Sequence, residues 1–352
     1  KDGVMSSLNS PGEVELAERL ISMHPWADMA RFARSGGEAN AIAVRIARAS
    51  TGRDKIAICG YHGWHDWYLS ANLSKDDNLA AHLLPGLEPG GVPRVLAGTT
   101  VPFEYNNLDQ LETLLSSGEF AAVKMEVSRS FGPVNGFLEG VRDLCDRFDT
   151  LLIFDECTSG FRETFGGLHL KYGVNPDIAM FGKALGNGYA ISAVIGTRQV
   201  MKEVERTFIS STFWTERIGP VAAIATLEEM ERLKSWEIIS TQGAKIKKLW
   251  SDSFKNADIQ VEIHGLDAIP AFRVKHTEGN RIKTAITQKL LTQSILGSNV
   301  AYMSVLHDDV SISRYKVASD QTLVSIGNSL LHGWPSDEIY QPPAAEGFAR
   351  IN

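Results

Sequence analysis

The chain has 352 residues, with 35 basic against 42 acidic side chains and a formal net charge of −7. Its 43% hydrophobic and 22% charged residues are ordinary globular usage and exclude a disordered or fibrous chain. Two domains are expected, because one core rarely grows beyond about 250–300 residues, and no apolar run approaches the ~20 residues of a membrane helix. Mild acidity without a basic block argues against nucleic acid or an anionic membrane as the main partner. Cys59, Cys145 and Cys157 are odd in number and widely spaced, which points to neither a disulfide framework nor a zinc cluster and fits a reducing, cytoplasmic setting. The first residue is Lys1 rather than Met, so a natural start and any targeting signal on it are expected ahead of it.

In chain order, apolar spacing predicts helices over Glu13–Met23 and Glu38–Ala49. Short apolar runs then read as buried strands at Lys55–Cys59, Arg94–Ala97, Ala121–Val127, Leu151–Phe154, Ile178–Phe181 and Ile191–Ile195, with a crossover helix over Leu138–Phe148. This alternation predicts an α/β fold: a mostly parallel sheet with helices on both faces and its ligand beyond the carboxyl ends of the strands. After Gly219 the pattern changes to long helices over Pro220–Lys234 and Ile238–Phe254. Strands follow at Val261–Ile263 and Ala271–Val274, then a helix near Ile282–Leu296 and a polar tail with Pro342 and Pro343. This part reads as a smaller α+β domain.

Four features fall at strand ends of the larger part. Ser35-Gly36-Gly37 precedes a helix, where glycines admit close approach of an anion to the unpaired N–H groups; the same pattern also makes a plain N-cap and turn. Leu151-Leu152-Ile153-Phe154-Asp155-Glu156 ends an apolar strand in two acids, suited to a metal, a pyridinium nitrogen, proton transfer or simple solvation. Lys183 follows another buried strand inside Gly182-Lys183-Ala184-Leu185-Gly186-Asn187-Gly188. A desolvated lysine there is a Schiff-base nucleophile, with the glycines leaving room for something bulky. Tyr61-His62-Gly63-Trp64-His65-Asp66 is dense in aromatics, fitting a planar ligand stacked on a ring; His62, His65 and Asp66 alternatively make a metal set, and with Asp155 a metal hydrolase. Taken together, an amine, a carboxylate, an aromatic face and an anion cradle are what pyridoxal phosphate requires.

On these residues the sequence resembles the class III pyridoxal-phosphate aminotransferases, particularly the glutamate-1-semialdehyde 2,1-aminomutase-like branch. Residues 35–40 and 43–53 resemble the family's phosphate loop and following helix, and Tyr61-His62-Gly63 its stacking motif. Gly136-Phe137-Leu138 through Asp155-Glu156 and Pro176-Asp177 through Gly182-Lys183 resemble its approaches to the ring-nitrogen aspartate and the Schiff-base lysine. The similarity is dense over residues 11–230 and thinner beyond, where Ser304-Val305-Leu306-His307 resembles a late serine–histidine stretch.

The resemblance implies a fold type I transferase. Residues 1–24 would be a remnant of an N-terminal segment, 25–235 the large cofactor domain and 236–352 the small C-terminal domain. Lys183 would form the internal aldimine and shuttle a proton, and Asp155 would pair with the pyridine nitrogen. Tyr61 would stack on one ring face and Cys157 pack on the other, with His62 and Glu126 also at the cofactor. Ser35, Gly36 and Gly37 would hold the phosphate, although Gly37 replaces a more usual threonine or serine. Thr212 would reach the phosphate of the neighbouring subunit in a homodimer. Arg129 and Trp64 are candidates for the substrate side.

The implied reaction is amino transfer from a small-molecule donor to a carbonyl acceptor, through a pyridoxamine phosphate intermediate. The alternative is an aminomutase moving nitrogen between neighbouring carbons of one substrate. A cofactor-binding paralogue without turnover is disfavoured by the intact Lys183 and Asp155.

Overall fold

The computed structural model describes residues 8–74, 89–128, 130–334 and 343. Contacts divide the chain into two compact units, residues 1–128 with 133–234, and residues 129–132 with 235–352.

In the first unit, helix α1 (Pro11–Met23) starts at Ser10, whose hydroxyl caps Glu13 N–H, with proline in its first turn. Strand β1 (Met29–Ala33) leads into α2 (Gly36–Thr51). Next come β2 (Lys55–Cys59), α3 (Asp66–Leu69), β3 (Thr100–Pro102), α4 (Leu108–Leu115), β4 (Phe120–Met125), α5 (Phe137–Arg147) and β5 (Leu151–Glu156). The unit ends with α6 (His169–Tyr172), β6 (Ile178–Phe181), β7 (Ser192–Gly196), α7 (Arg198–Met201) and α8 (Ile218–Leu233). The seven strands lie in the order β1-β7-β6-β5-β4-β2-β3. Only β7 runs against its neighbours β1 and β6, so the sheet is mostly parallel, as the strand–helix alternation predicts.

Alternation along the strands splits the core in two. Ile178 and Met180 of β6 pack with Ile42 and Ile46 of α2, whereas Ala179 and Phe181 pack with Leu16, Leu20, Ala223 and Leu227 of α1 and α8. Both faces are therefore covered, which is why these strands read as unbroken apolar runs.

The structure corrects several expectations. Arg94–Ala97 is not a strand: Arg94–Leu96 is a 3-10 turn entered from Pro93, and the edge strand is β3. Strand β1 and helix α4 had no counterpart in the sequence reading.

The second unit has α9 (Ser235–Asn256), the antiparallel pair β8 (Val261–Leu266) and β9 (Ile269–Val274), α10 (Gly279–Thr292) and α11 (Asp309–His332). Trp250, Phe254 and Phe272 sit at its core with Ile282, Leu290 and Ile326. Ser130 belongs here, its carbonyl accepting Gly265 N–H at 2.8 Å. The tail expected to be merely polar contains the 24-residue α11, and Pro342 lies outside the described residues.

Candidate functional site

Five parallel strands deliver their carboxyl ends to one edge of the sheet. There β1 hands the chain to Ser35, β2 to Tyr61 and His62, β4 to Glu126, and β6 to Lys183, while Asp155 and Cys157 lie at the end of β5 between them. The antiparallel β7 begins at this edge with Ser192, whose hydroxyl donates to Ser35 O at 2.9 Å and fixes the loop before α2.

That loop is a capping box. Ser35 Oγ accepts Glu38 N–H at 3.3 Å, and Glu38 Oε2 accepts Ser35 N–H at 2.9 Å. The Ser35 hydroxyl and amide are thus engaged within the loop, leaving the first-turn amides of Gly36 and Gly37 at the positive end of a 16-residue helix. A Cβ on Gly36 would touch Cys157 Sγ at 3.5 Å, and so would one on Gly182, so the Cys157 thiol lies between the two glycine turns. A Cβ on Gly37 would lie 2.9 Å from His65 Nε2: the imidazole of His65 occupies the room that a side chain would take.

Asp155 is 4% exposed. Its Oδ1 accepts Cys157 N–H at 3.1 Å and its Oδ2 lies 2.9 Å from His62 Nδ1. Lys124 Nζ, on β4, is 3.6 Å from the same Oδ2. Burial alone would raise this carboxyl, but the Lys124 charge and the His62 bond outweigh it and hold it well below the ordinary carboxylate range. An ionised carboxylate only accepts, so His62 carries its proton on Nδ1. Burial, reinforced by the negative Asp155, pushes the Cys157 thiol well up, so it remains a neutral packing group.

Lys183 adopts the left-handed region at φ 41°, and its Nζ donates to Thr158 Oγ1 at 2.6 Å. A desolvated lysine is expected here, but Lys183 is exposed in this chain, because the turn after β6 carries it out of the core. One of the surrounding glycines departs from the expectation of leaving room for a ligand. A Cβ on Gly186 would strike Tyr189 O of the same loop and Ile191 Cγ2 at 2.8 Å, so this glycine serves the tight turn and not a ligand. Gly60, at φ 125°, makes the opposite edge of the site: it gives way to Glu126, whose Oε2 accepts Tyr61 N–H at 3.0 Å.

Ser35, Gly36, Gly37, Tyr61, His62, Glu126, Asp155, Cys157 and Lys183 are accordingly gathered at one sheet edge. Trp64 is 71% exposed, with its ring edge-on to His65. Thr212 is exposed on a 3-10 turn, Thr212–Thr215, that is tied back to α2: Trp214 Nε1–H donates to Glu38 Oε1 at 3.2 Å, and Arg34 Nε–H to Phe213 O at 2.8 Å. Arg129 lies outside the described residues. The sequence reading passed over Lys124 and Thr158. A lysine in the middle of an apolar strand was a usable signal for the first, since lysine is rarely buried without a partner; nothing marked Thr158.

Glu156, next to Asp155, has a different task. It accepts Ser159 Oγ–H at 3.0 Å and His169 N–H at 3.0 Å, while Trp26 Nε1–H donates to His169 Nε2 at 2.9 Å. It is a buried anchor for the turn before β6.

Among the described residues, no group of three or more His, Cys, Asp or Glu is placed to hold a metal ion, and His62 and His65 serve Asp155 and Gly37 separately. The metal hydrolase alternative finds no support. A buried ionised carboxylate, an amine from the next strand, a thiol-filled slot between glycine turns and a helix N-terminus do fit pyridoxal phosphate.

This fold and edge define a fold type I pyridoxal-phosphate transferase. Solved structures agree: a transaminase with PLP bound superposes with TM-score 0.81 at 25% identity, covering 92% of this chain and 80% of that one. The FumI protein of Sphingopyxis sp. MTA144, in its PLP internal aldimine form, superposes with TM-score 0.83 at 22% identity over 94% of this chain and 78% of that one, a likeness of fold. The family model for aminotransferase class-III matches residues 4–306, and the chain belongs to that family of pyridoxal-phosphate enzymes. It is 30% identical to a 3-aminobutyryl-CoA aminotransferase of Cloacimonas acidaminovorans over 93% of this chain and 78% of the relative. It is 38% identical to a glutamate-1-semialdehyde 2,1-aminomutase of Methanothrix thermoacetophila over 72% of this chain, a stretch spanning 60% of that relative. Among the described residues no helix is long and apolar enough to cross a membrane.

Proposed function

We propose that this chain transfers an amino group from a small-molecule donor to a separate carbonyl acceptor at the edge formed by β5 and β6. The observation that carries the reading is the pairing, on neighbouring strands, of a buried ionised Asp155 with the lysine that follows β6. When bound, pyridoxal phosphate supplies an electron sink for the carbon that loses its proton. Lys183 would hold the cofactor by its amine, and Thr158 fixes the direction of that Nζ. Once the donor amine has displaced it, the same Nζ would move the proton between the substrate carbon and the cofactor's aldehyde-derived carbon. Asp155 would pair with the ring-nitrogen proton, Tyr61 and the Cys157 thiol would lie against the ring, and the Gly36 and Gly37 amides would hold the phosphate. Ser35 acts through the capping box that shapes this loop, and Glu126 through the Tyr61 amide.

Thr212 belongs to the neighbouring subunit's site in a homodimer; its exposure beside Phe213, 61% exposed, and Ile218, 58% exposed, supports that assignment. Trp64 and Arg129 remain the candidates for the substrate side. Three free cysteines support a cytoplasmic setting. The large unit is read as residues 25–235, with residues 1–24 leading into it, and the small one as 236–352.

The second reading is the aminomutase, favoured by the 38% identity to a glutamate-1-semialdehyde 2,1-aminomutase. Single-turnover spectra with a panel of amino donors separate them. If a donor bleaches the cofactor band and a different carbonyl compound restores it, the transfer is between two substrates. If only one amino-aldehyde or diamine cycles the band unaided, the aminomutase reading replaces it.

A further inference from the structure

Lys124 is 0% exposed and sits in the middle of β4, a strand whose six residues are all buried. Its register partner on β5 is Ile153, two residues from Asp155, and Asp155 pairs with Met180 on β6. Residues two apart on a strand share a face, so Lys124, Asp155 and Met180 lie together on the side of the sheet that α2 covers. The ammonium donates to Met180 Sδ at 3.3 Å and lies 3.6 Å from Asp155 Oδ2. A sulfur is a weak acceptor, and Asp155 is the carboxylate that compensates the buried charge.

Resting on the reading of Asp155 given above, we propose that Lys124 is a positioning residue which keeps Asp155 ionised and shares its charge, so that the site grips a protonated ring nitrogen less tightly than a lone aspartate would.

The oxygens of Asp155 are already divided. Oδ1 receives the Cys157 amide, and Oδ2 faces both His62 and Lys124. A pyridine N–H reaching this carboxylate would compete with the Lys124 ammonium, already at ion-pair distance from it. Two positive charges sharing one carboxylate repel each other, so the ring nitrogen loses its proton more readily than beside Asp155 alone. The other charged or titratable groups acting on the ammonium are Glu126, just after its own strand, and Cys157 beyond β5, while His62 from the loop after β2 faces the same Asp155. Burial pulls the Lys124 ammonium down and the Asp155 charge opposes this. Its position beneath the carboxylate is the ring-nitrogen end of the site, so Lys124 serves the aspartate and not as a second amine for the aldehyde.

The test uses Lys124→Met, which keeps the length of the side chain and removes its charge, read in three ways. In the cofactor-free protein, carbon NMR of the Asp155 carboxyl should show its titration midpoint raised by about 1–3 units. In the loaded protein, nitrogen NMR of ring-labelled cofactor should show the ring nitrogen keeping its proton to a pH about 1–3 units higher than in wild type. Against misfolding as the cause, Lys124→Met is also made in an Asp155→Asn background. The stability cost should shrink there, whereas a packing role would cost the same in both. Unchanged carboxyl and ring-nitrogen titrations, or equal costs in the two backgrounds, would overturn the proposal. Wild-type protein that never acquires the cofactor band would instead refute the function proposed above, and the carboxyl titration would still report whether Lys124 governs Asp155.

Discussion

His62 Nδ1 lies 2.9 Å from Asp155 Oδ2, and both side chains are buried, so an imidazole proton is committed to the carboxylate at the foot of the site. Under the proposed function, His62 would act on the cofactor through Asp155. His62→Leu removes the donor and leaves a charged acceptor short of a partner, which should cost about 1.5–3 kcal/mol in urea unfolding. His62→Gln, which can present an N–H in the same direction, should recover much of that loss. Equal losses in the two variants would show that the ring is retained for packing alone.

The stability of the chain should fall on mild acidification, and the leading cause is His24. Its Nδ1–H donates to Leu20 O at 2.7 Å and its Nε2 accepts Gly167 N–H at 2.9 Å, a pattern that only neutral imidazole satisfies. Burial lowers this histidine to about 4. Between that value and the unfolded value of about 6.5, the unfolded chain binds the extra proton, so stability rises with pH across the window and drops as pH falls through it. The shift corresponds to roughly 3 kcal/mol. Asp155, depressed in the folded state, adds its own loss below about pH 4, when the unfolded carboxyl takes up a proton that the folded one resists. Urea melts at a series of pH values should show the slope between 4 and 6.5, and His24→Gln should flatten it.

The turn carrying Lys183 should tolerate no side chain at Gly186. Its Cβ would meet Tyr189 O and Ile191 Cγ2, and backbone cannot step aside as a flexible side chain can. Gly186→Ala should destabilise by about 1–3 kcal/mol and slow the appearance of the cofactor band, because the displaced loop also directs Lys183 toward Thr158. A melting temperature unchanged from wild type would show that the loop relaxes freely.

Sharing of sites between subunits is open to complementation. Lys183→Ala and Thr212→Ala chains, each impaired alone, should regain activity when mixed as hybrids, since one of the two sites then combines wild-type Lys183 with the partner subunit's wild-type Thr212. Hybrids no more active than the separate variants would remove Thr212 from the shared site.

Much of the site was legible because its chemistry stands at the ends of buried strands. Ile178–Phe181 and Lys55–Cys59 are bounded by polar residues or glycine, and their apolar runs coincide with β6 and β2. Asp155 ends such a run and so announced itself. Arg94–Ala97 misled because a Val-Leu-Ala run after proline has strand composition, whereas the proline starts a 3-10 turn. Helix α11 was hidden by its serines and threonines, weak helix formers that nevertheless pack: Ser319, Thr322 and Ser329 are buried among Ala318, Leu323 and Ile326. The hold of Thr158 on Lys183, and of Lys124 and His62 on Asp155, joins residues far apart in sequence, and no local pattern encodes it.

Under the proposed function, Lys183 is the amine that would hold the cofactor. Protein loaded with pyridoxal phosphate, reduced with borohydride, digested and read by mass spectrometry should carry the adduct on the peptide containing Lys183, with Lys183→Ala losing both adduct and visible band. An adduct on the peptide containing Lys124, or no adduct on a protein that still turns over amino donors, would contradict it.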